Sequence, residues 1–136
     1  MTKFLVIYIM DYSELHCHSY YSFHDGASSL EELMVRARDL GYTALAVTDH
    51  DNLCGAMRFA QLAQSLDIQG IIGAEVTLKG GYHITLLAKD RKGYGNLCRL
   101  ITAAHAAGER NEPELPPETV RHRMENMPVL HRKPTY

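Results

Sequence analysis

The sequence predicts an α/β fold in which strand and helix units alternate around a mostly parallel sheet or barrel. Between residues 12 and 107, short apolar runs alternate with amphipathic stretches, a rhythm typical of that architecture. Polar residues gather where the predicted strands end, and ligands bind at this edge of parallel strands because several loops meet there. A length of 136 residues suits one modest domain with a buried core.

The first predicted strand and helix flank a polar loop. The strand spans residues 13–18, and the loop after it contains Asp25. The helix begins at Ser28 or Ser29, because a serine followed three residues later by glutamate is typical of a capping box. One buried stripe is expected along the helix before Gly41 ends it, formed by Leu30, Leu33, Met34, Ala37 and Leu40.

Three further strands and two helices follow along the chain. Residues 44–47 form the second strand, and apolar residues at helical spacing predict a second helix over residues 56–66. Residues 68–78 and 82–88 form two strands that are joined at a pair of glycines. The third helix comes next and ends at Gly108.

The loop between the last two strands decides which side chains share a face. A two-residue loop would place Glu75 and His83 on opposite faces, because side chains alternate along a strand. A three-residue loop, residues 79–81, pairs Thr77 with His83 and Glu75 with Thr85, and separates an apolar face from a polar one. We therefore predict the three-residue loop, with a glycine in the left-handed conformation. Glu75 and His83 then join the same site.

The two ends of the chain are predicted to differ from its centre. Residues 1–10 are interpreted as a leading strand or an N-terminal extension, and residues 11–107 as the main folded part. Beyond Gly108 the chain is charged and rich in proline, and its apolar residues are sparse. We expect residues 108–136 to form a linker and a weakly ordered tail.

Composition excludes several classes of protein. The formal net charge of -2 lacks the basic excess of a domain that grips nucleic acid by itself. Three widely spaced cysteines without a C-x-x-C pair argue against a disulfide framework and a thiolate zinc site, so a reduced cytoplasmic setting is expected. The apolar run near the start is too short to span a bilayer, and we expect no membrane partner.

Imidazoles and carboxylates occur in short groups at the predicted strand ends. His16 and His18 share one face of the first strand, roughly 6.5 Å apart, because alternate residues point the same way. Asp25 follows in the loop, His50 ends the second strand, and Glu75 lies near the end of the third. Four separate segments thus offer nitrogen or oxygen ligands to one edge, which predicts a site for divalent metal ions.

The ligand types limit the metal and suggest a reaction. Nitrogen and oxygen ligands without thiolate suit zinc, manganese or iron, and the sequence does not choose among them. A cluster of such ions would lower the pKa of bound water toward ~7 and hold the attacking and leaving oxygens of a phosphate ester. The implied reaction is metal-assisted phosphoester hydrolysis. Asp49 and Asp51 flank His50 and are interpreted as partners that orient an imidazole.

Other histidines and aromatic residues receive ordinary structural roles. The remaining histidines are interpreted as loop, structural or solvated residues: His24, His105, His122 and His131. Three aromatic residues after the first strand could stack on a base, but aromatic residues that border a strand usually belong to the core. We assign Tyr20, Tyr21 and Phe23 to the core on that ground.

Four segments carry a family resemblance. They are residues 14–27 (ELHCHSYYSFHDGA), 46–55 (AVTDHDNLCG), 71–78 (IIGAEVTL) and 82–105 (YHITLLAKDRKGYGNLCRLITAAH). Together they resemble the polymerase and histidinol phosphatase (PHP) domain, and more narrowly the amino-terminal domain of bacterial error-prone DNA polymerase III alpha subunits. The resemblance covers about residues 11–120. It implies a distorted strand-helix barrel with metals at the carboxyl edge, and residues 11–107 would be the N-terminal portion of that domain.

The resemblance also implies a ligand set and a function. A full barrel usually takes ~200 residues or more, so we expect a partial barrel of about half that size. The residues that match the ligand motifs of the family are His16, His18, Asp25, His50, Glu75 and His83. The family's later ligands have no match in the tail, and the polymerase catalytic domains are absent from this sequence. The implied function is that of a metal-binding phosphoesterase-type domain in a polymerase of DNA replication and repair.

Two alternatives stay open beside this hypothesis. The chain could be a non-catalytic structural or interaction module of the polymerase, or a stand-alone PHP phosphatase that acts on small phosphomonoesters. Expected partners are DNA or another phosphate ester and the remaining polymerase domains. An exposed open edge of the sheet would favour self-association.

Overall fold

The computed structural model describes residues 12–109 and 112–134, which form four helices and four strands. The helices are α1 (Leu30–Asp39), α2 (Ala56–Ser65), α3 (Arg91–Ala107) and α4 (Pro117–Arg121). The strands are β1 (Ala44–Val47), β2 (Gln69–Leu78), β3 (Tyr82–Leu87) and β4 (Val129–Pro134). The predicted leading strand or extension at residues 1–10 lies outside the described residues.

The four strands form one sheet in the order β1-β2-β3-β4. β1 pairs with β2 in parallel, whereas β2 with β3 and β3 with β4 pair antiparallel. The prediction of an α/β fold is confirmed, but the sheet is mixed rather than mostly parallel. The reason is that β2 and β3 are joined by a tight loop, which forces neighbouring strands to run in opposite directions.

Residues 13–18 are less regular than the predicted first strand. Within this segment, Glu14 forms an isolated parallel bridge with Leu45 of β1. The N–H of Ala46 donates to the Glu14 carbonyl at 2.9 Å, and that of Thr48 donates to the Cys17 carbonyl at 2.8 Å. These two bonds are unequally spaced along the two segments, so no continuous ladder forms. The segment nevertheless lies beside β1 and brings its histidines to the sheet.

The register of the β2–β3 hairpin agrees with the prediction. Thr77 pairs with His83, and Glu75 pairs with Thr85. The loop is closed by Gly80 and then Gly81, which take the left-handed φ values of 88° and 74°, a conformation that costs glycine little. The opposite face is apolar and buried, and it carries Ala74, Val76, Leu78, Ile84 and Leu86.

Helix α1 begins as the sequence predicts. The Ser29 hydroxyl accepts a hydrogen bond from the N–H of Glu32, while the Glu32 carboxylate accepts one from the N–H of Ser29. This reciprocal pair satisfies donors that would otherwise lack partners at the first turn. Leu30, Met34 and Ala37 are buried. Leu40 differs from the prediction and is 51% exposed, because it is the C-cap residue and leaves the buried face.

Two apolar clusters lie in the described part of the chain. One joins α1, β1 and α2 and includes Leu30, Met34, Val47 and Phe59. The other lies between the apolar face of the hairpin and α3, and includes Val76, Leu86, Leu97 and Leu100. One face of the hairpin is apolar and the other is polar. Because the apolar face packs on α3, the polar side chains of the other face remain available to form a site.

The segment after Gly108 packs more closely than the predicted linker and weakly ordered tail. Leu115, Val120 and Met127 are buried in the α3 cluster. Leu115 also exchanges backbone hydrogen bonds with β2, donating to Thr77 at 3.0 Å and accepting from Lys79 at 2.8 Å. Sparse apolar residues are sufficient here because the hairpin and α3 already provide the surface that they cover. β4 adds to β3, so β3 is an inner strand of the sheet.

The three cysteines of the chain, Cys17, Cys54 and Cys98, are free thiols. Burial raises the pKa of the Cys17 thiol to about 11, which disfavours the thiolate that binds metals. None of the helices in the described ranges combines the length and the hydropathy that a bilayer crossing requires.

Candidate metal centre

The sheet places Glu75 and His50 side by side. They form a parallel bridge in which the N–H of Asp51 donates to the Glu75 carbonyl at 2.9 Å and the N–H of Glu75 donates to the Asp49 carbonyl at 3.1 Å. Neighbouring residues in a parallel pair project their side chains to the same face. The His50 Nδ1 atom consequently lies 3.9 Å from Glu75 Oε1.

His83 reaches the same carboxylate from β3. Its Nδ1 atom lies 2.8 Å from Glu75 Oε1, within hydrogen-bond distance. This contact follows from the hairpin register, because the partner of His83 is Thr77, which lies one alternation beyond Glu75 on the same polar face. The ring centroids of His83 and His50 are 5.3 Å apart. Two imidazoles, those of His50 and His83, therefore lie near the same oxygen of Glu75.

His16 and His18 approach the other oxygen of Glu75. The Nε2 atom of His18 is 3.3 Å from Glu75 Oε2, and that of His16 is in close contact with the same oxygen. The two imidazole rings are 5.1 Å apart. Cys17 lies between them and donates its N–H to the Thr48 hydroxyl. The alternation predicted for an extended segment thus brings both histidines to one side.

Asp25 completes the group from a tight loop. Its Oδ2 atom lies 2.6 Å from His50 Nε2. The Ser22 carbonyl accepts from the N–H of Asp25 at 3.1 Å and from that of Gly26 at 2.9 Å. A Cβ atom at Gly26 would overlap the carbonyl oxygen of Ser19. Glycine is therefore needed for the turn that holds Asp25.

All six predicted metal ligands lie together in three overlapping groups. Within each group the donor atoms lie within 4.8 Å of one another. The groups are His16, His18 and Glu75; His18, Asp25 and His50; and His50, Glu75 and His83. Their donors are imidazole nitrogens and carboxylate oxygens, which suit a divalent ion of the zinc, manganese or iron type. Three members are shared between groups, so the six side chains form one continuous candidate metal centre.

The hydrogen bonds of the cluster favour the ionised form of the Glu75 carboxylate. Glu75 is only 5% exposed. Burial raises the pKa of its carboxyl, but hydrogen bonds from His18, His16 and His83 outweigh that effect and hold the pKa well below its usual range. The hydrogen bond to Glu75 in turn raises the pKa of His18, against an opposing effect of burial. A buried carboxylate that stays ionised is a strong ligand for a cation.

Asp49 has partners that differ from the predicted imidazole. Its buried carboxylate accepts from the N–H of Ser19 at 2.7 Å, from the Ser19 hydroxyl at 2.8 Å and from the Ser22 hydroxyl at 2.6 Å. Ser22 Oγ also accepts from the N–H of His50 at 3.1 Å. In the described residues Asp49 therefore orders the loop and the backbone around His50, because its side chain points to the face opposite His50.

Asp51 likewise bonds to the sheet rather than to an imidazole. Its carboxylate accepts from the N–H of Thr77 at 2.8 Å and from the Thr77 hydroxyl at 2.6 Å. Burial raises the pKa of the Asp51 carboxyl, although the bonds from Thr77 oppose this. The backbone of Asp51 is left-handed, with a φ of 49°, and its carbonyl accepts from His105 Nε2 at 2.7 Å. The turn after His50 is thus fastened to both β2 and α3.

Sequence reasoning missed these supporting residues. Ser19, Ser22 and Thr77 carry hydroxyls that form no recognisable spacing, so no pattern could assign them partners. His105 was interpreted as structural or solvated, and its bond to Asp51 makes it structural. The expectation of core positions is wrong for Phe23 and Tyr20, which are 84% and 44% exposed.

Comparison with known sequences identifies the family. The family model for the PHP domain matches residues 14–131. The error-prone DNA polymerase of Symbiobacterium thermophilum is 57% identical over 100 residues, which are 74% of this chain and 9% of that protein. That of Mycobacterium bovis is 48% identical over 113 residues, which are 75% of this chain and 10% of that protein. The chain thus spans about a tenth of the length of these curated relatives.

Comparison with solved structures shows a related fold. A protein from Bifidobacterium adolescentis assigned as a metal-dependent phosphoesterase superposes with a TM-score of 0.52 at 22% identity, over 69% of this chain and 35% of that one. An amidohydrolase from Chromobacterium violaceum superposes with a TM-score of 0.50 at 22% identity, over 83% of this chain and 49% of that one. The family match covers most of the sequence and includes all six clustered residues. The chain belongs to the PHP domain family.

Proposed function

We propose that this PHP domain binds divalent metal ions and hydrolyses phosphoesters. The observation that carries the proposal is the convergence of four imidazoles and two carboxylates, which come from separate segments, on the polar face of the hairpin. The ligands would be His16, His18, Asp25, His50, Glu75 and His83. Bound ions of this kind lower the pKa of water and neutralise the charge on a phosphate ester.

The six residues would have different roles in binding the ions and the substrate. Glu75 belongs to two of the three groups, so it would take part in holding metal together with imidazoles of both groups. Asp25 has the most exposed side chain of the six at 57%, and it marks the side from which a substrate would enter. In the reaction, a water oxygen bonds to phosphorus, the bond from phosphorus to the leaving oxygen breaks, and that oxygen takes up a proton.

We further propose that the domain works as part of an error-prone DNA polymerase in the cytoplasm. The relatives that carry this name are 48–57% identical to the chain over most of its length. DNA would then be the source of the phosphoester, and the remaining polymerase domains would be the partners. We also propose that the sheet is part of the distorted barrel that the resemblance implies, and the position of residues 13–18 beside β1 supports this. Free cysteines are consistent with a reducing compartment.

One observation favours a non-catalytic structural module as the second candidate. Glu75 forms hydrogen bonds with His16, His18 and His83 directly. Such a network satisfies a buried carboxylate by itself, so the cluster would also stabilise the fold without turnover. If this candidate is correct, substitutions of the six clustered residues should destabilise the fold. Neither the unaltered chain nor the variants should then hydrolyse phosphoesters.

Hydrolysis assays separate the two candidates. The purified chain, incubated with manganese or zinc, is tested on single-stranded DNA, on a phosphodiester and on a small phosphomonoester. The enzyme hypothesis predicts product release that needs the added metal and that falls at least about a hundredfold in His50→Ala. Release from the monoester alone would instead favour a small-molecule phosphatase.

The matched control is His122→Ala, because His122 is an exposed histidine outside the cluster. It should leave both hydrolysis and bound metal unchanged. Metal analysis of the same samples should show less bound metal in His16→Ala and His50→Ala than in the control. Equal metal content in all samples would contradict the metal centre, and bound metal without any hydrolysis would favour the structural module.

A further inference from the structure

A cavity of about 660 Å³ opens directly beside the metal centre. His50 belongs both to the ligand cluster and to the wall of this cavity. Further wall residues are Tyr21, Phe23, His24, Asn52 and Cys54. The volume lies in the range of sites for small organic ligands. A molecule held at the metal centre could therefore extend into this space.

Phe23 is an exposed aromatic residue in the wall of the cavity. Its side chain is 84% exposed, which is unfavourable for a phenyl ring in water. The loop that carries it is ordered, because the N–H of Ser22 donates to the Ser19 carbonyl and that of Asp25 donates to the Ser22 carbonyl. Ser22 is in turn buried and bonded to Asp49. The backbone that carries Phe23 is thus fastened close to Asp25, two positions along the chain.

The amide of Asn52 in the cavity wall is already engaged in hydrogen bonds. The Asn52 amide donates to the carbonyls of Tyr21 and His50 and accepts from the N–H of Cys54. Neither lysine nor arginine lines the cavity among the described residues. The described wall therefore offers neither a lysine nor an arginine to a phosphate, and its one amide is already bonded and cannot read the edge of a base. It suits a flat, uncharged group that binds by stacking.

We infer that the cavity takes the nucleobase of a nucleotide whose phosphate lies at the metal centre, with the base stacked on Phe23. This inference rests on the proposed function for the position of the phosphate, and it adds a subsite for the base of the substrate. Stacking on an aromatic ring tolerates any base, so binding should depend on the presence of a base far more than on its identity.

Binding measurements test the inference without relying on turnover. The manganese-loaded chain is titrated with deoxyadenosine 5′-monophosphate and with 2-deoxyribose 5-phosphate, which has the same sugar and phosphate but no base. The nucleotide should bind about fivefold or more tightly. Phe23→Ala should abolish that ratio and leave binding of the sugar phosphate unchanged, whereas Phe23→Trp should retain the ratio.

Met57→Ala is the matched control, because Met57 is an exposed apolar residue that lies outside the cavity wall. It should keep the nucleotide preference. Equal affinity for the two ligands in the unaltered chain, an unchanged ratio in Phe23→Ala, or no nucleotide binding would overturn the inference. A base preference without hydrolysis of any phosphoester would reject the phosphoesterase and support the base site. Hydrolysis without a base preference would reject the base site alone.

Discussion

His50 and Glu75 are far apart in the sequence but are neighbours in a parallel bridge, with His50 Nδ1 3.9 Å from Glu75 Oε1. This pairing joins the turn after β1 to the polar face of the hairpin. Because His83, His16 and His18 contact the same carboxylate, Glu75 is the common partner of the cluster. The strongest tests therefore begin with this residue.

Replacing Glu75 with glutamine should weaken metal binding at least about tenfold. The substitution keeps the shape of the side chain but removes the negative charge that two of the ligand groups share. Competition with a chelator, followed by metal analysis, measures the effect. Glu31→Gln is the control, because Glu31 forms a surface ion pair with Arg58. Equal affinities in Glu75→Gln and the control would contradict the central role of Glu75.

The metal-free chain should owe part of its stability to the pairing of Glu75 with His18, within a defined pH window. The lowered pKa of Glu75 gives a contribution that is present above its ordinary value of 4.5 and is lost as the pH falls. The raised pKa of His18 gives one that is present below its ordinary value of 6.5 and is lost as the pH rises through the folded pKa. Both contributions are present between these two values.

The measurement is the difference in the free energy of unfolding between the metal-free chain and its Glu75→Gln variant. Urea titrations from pH 4 to pH 8 should give the largest difference, about 1–3 kcal/mol, between about pH 4.5 and 6.5. The difference should shrink on both sides of this window. A difference that stays constant over the whole range would contradict the pairing.

Asp49→Asn should destabilise the fold by about 2–4 kcal/mol. The buried carboxylate accepts three hydrogen bonds from Ser19 and Ser22, and an amide nitrogen cannot accept in place of one of its oxygens. Denaturant unfolding measures the loss. Asp39→Asn, at an exposed site beside Arg38, should change stability by no more than about 0.5 kcal/mol. Similar effects of the two substitutions would refute the anchoring role of Asp49.

Gly26→Ala should destabilise the chain by about 1–3 kcal/mol and weaken metal binding. The added methyl group would overlap the Ser19 carbonyl, so the turn that holds Asp25 against His50 must shift. Gly95→Ala is a matched change in α3, where the nearest neighbouring atom lies 3.6 Å away, and it should stabilise the helix by about 0.5–1 kcal/mol. Thermal unfolding and metal titration of both variants compare the sites. An unaffected Gly26→Ala variant would show that the turn adapts.

Several parts of the fold could be predicted because their signals are local. The capping box of Ser29 and Glu32 marks the start of α1. The alternation of polar and apolar residues sets the register that pairs Glu75 with Thr85, since a slip by one position would bury one face and expose the other. The burial of Leu115 and Val120 could not be predicted in this way, because it depends on surfaces supplied by β2 and α3.

The sequence by itself determined the types of donor at the site and the shared face of Glu75 and His83, because residue identity and alternation are properties of neighbouring residues. The tertiary structure alone decided that Asp49 anchors the loop of Ser19 and Ser22, that Asp51 bonds to Thr77, and that the exposed Phe23 shares a cavity wall with His50. Each of these contacts joins segments that are distant along the chain. The packing of strands and loops decides which residues become partners, and no local sequence pattern records that packing.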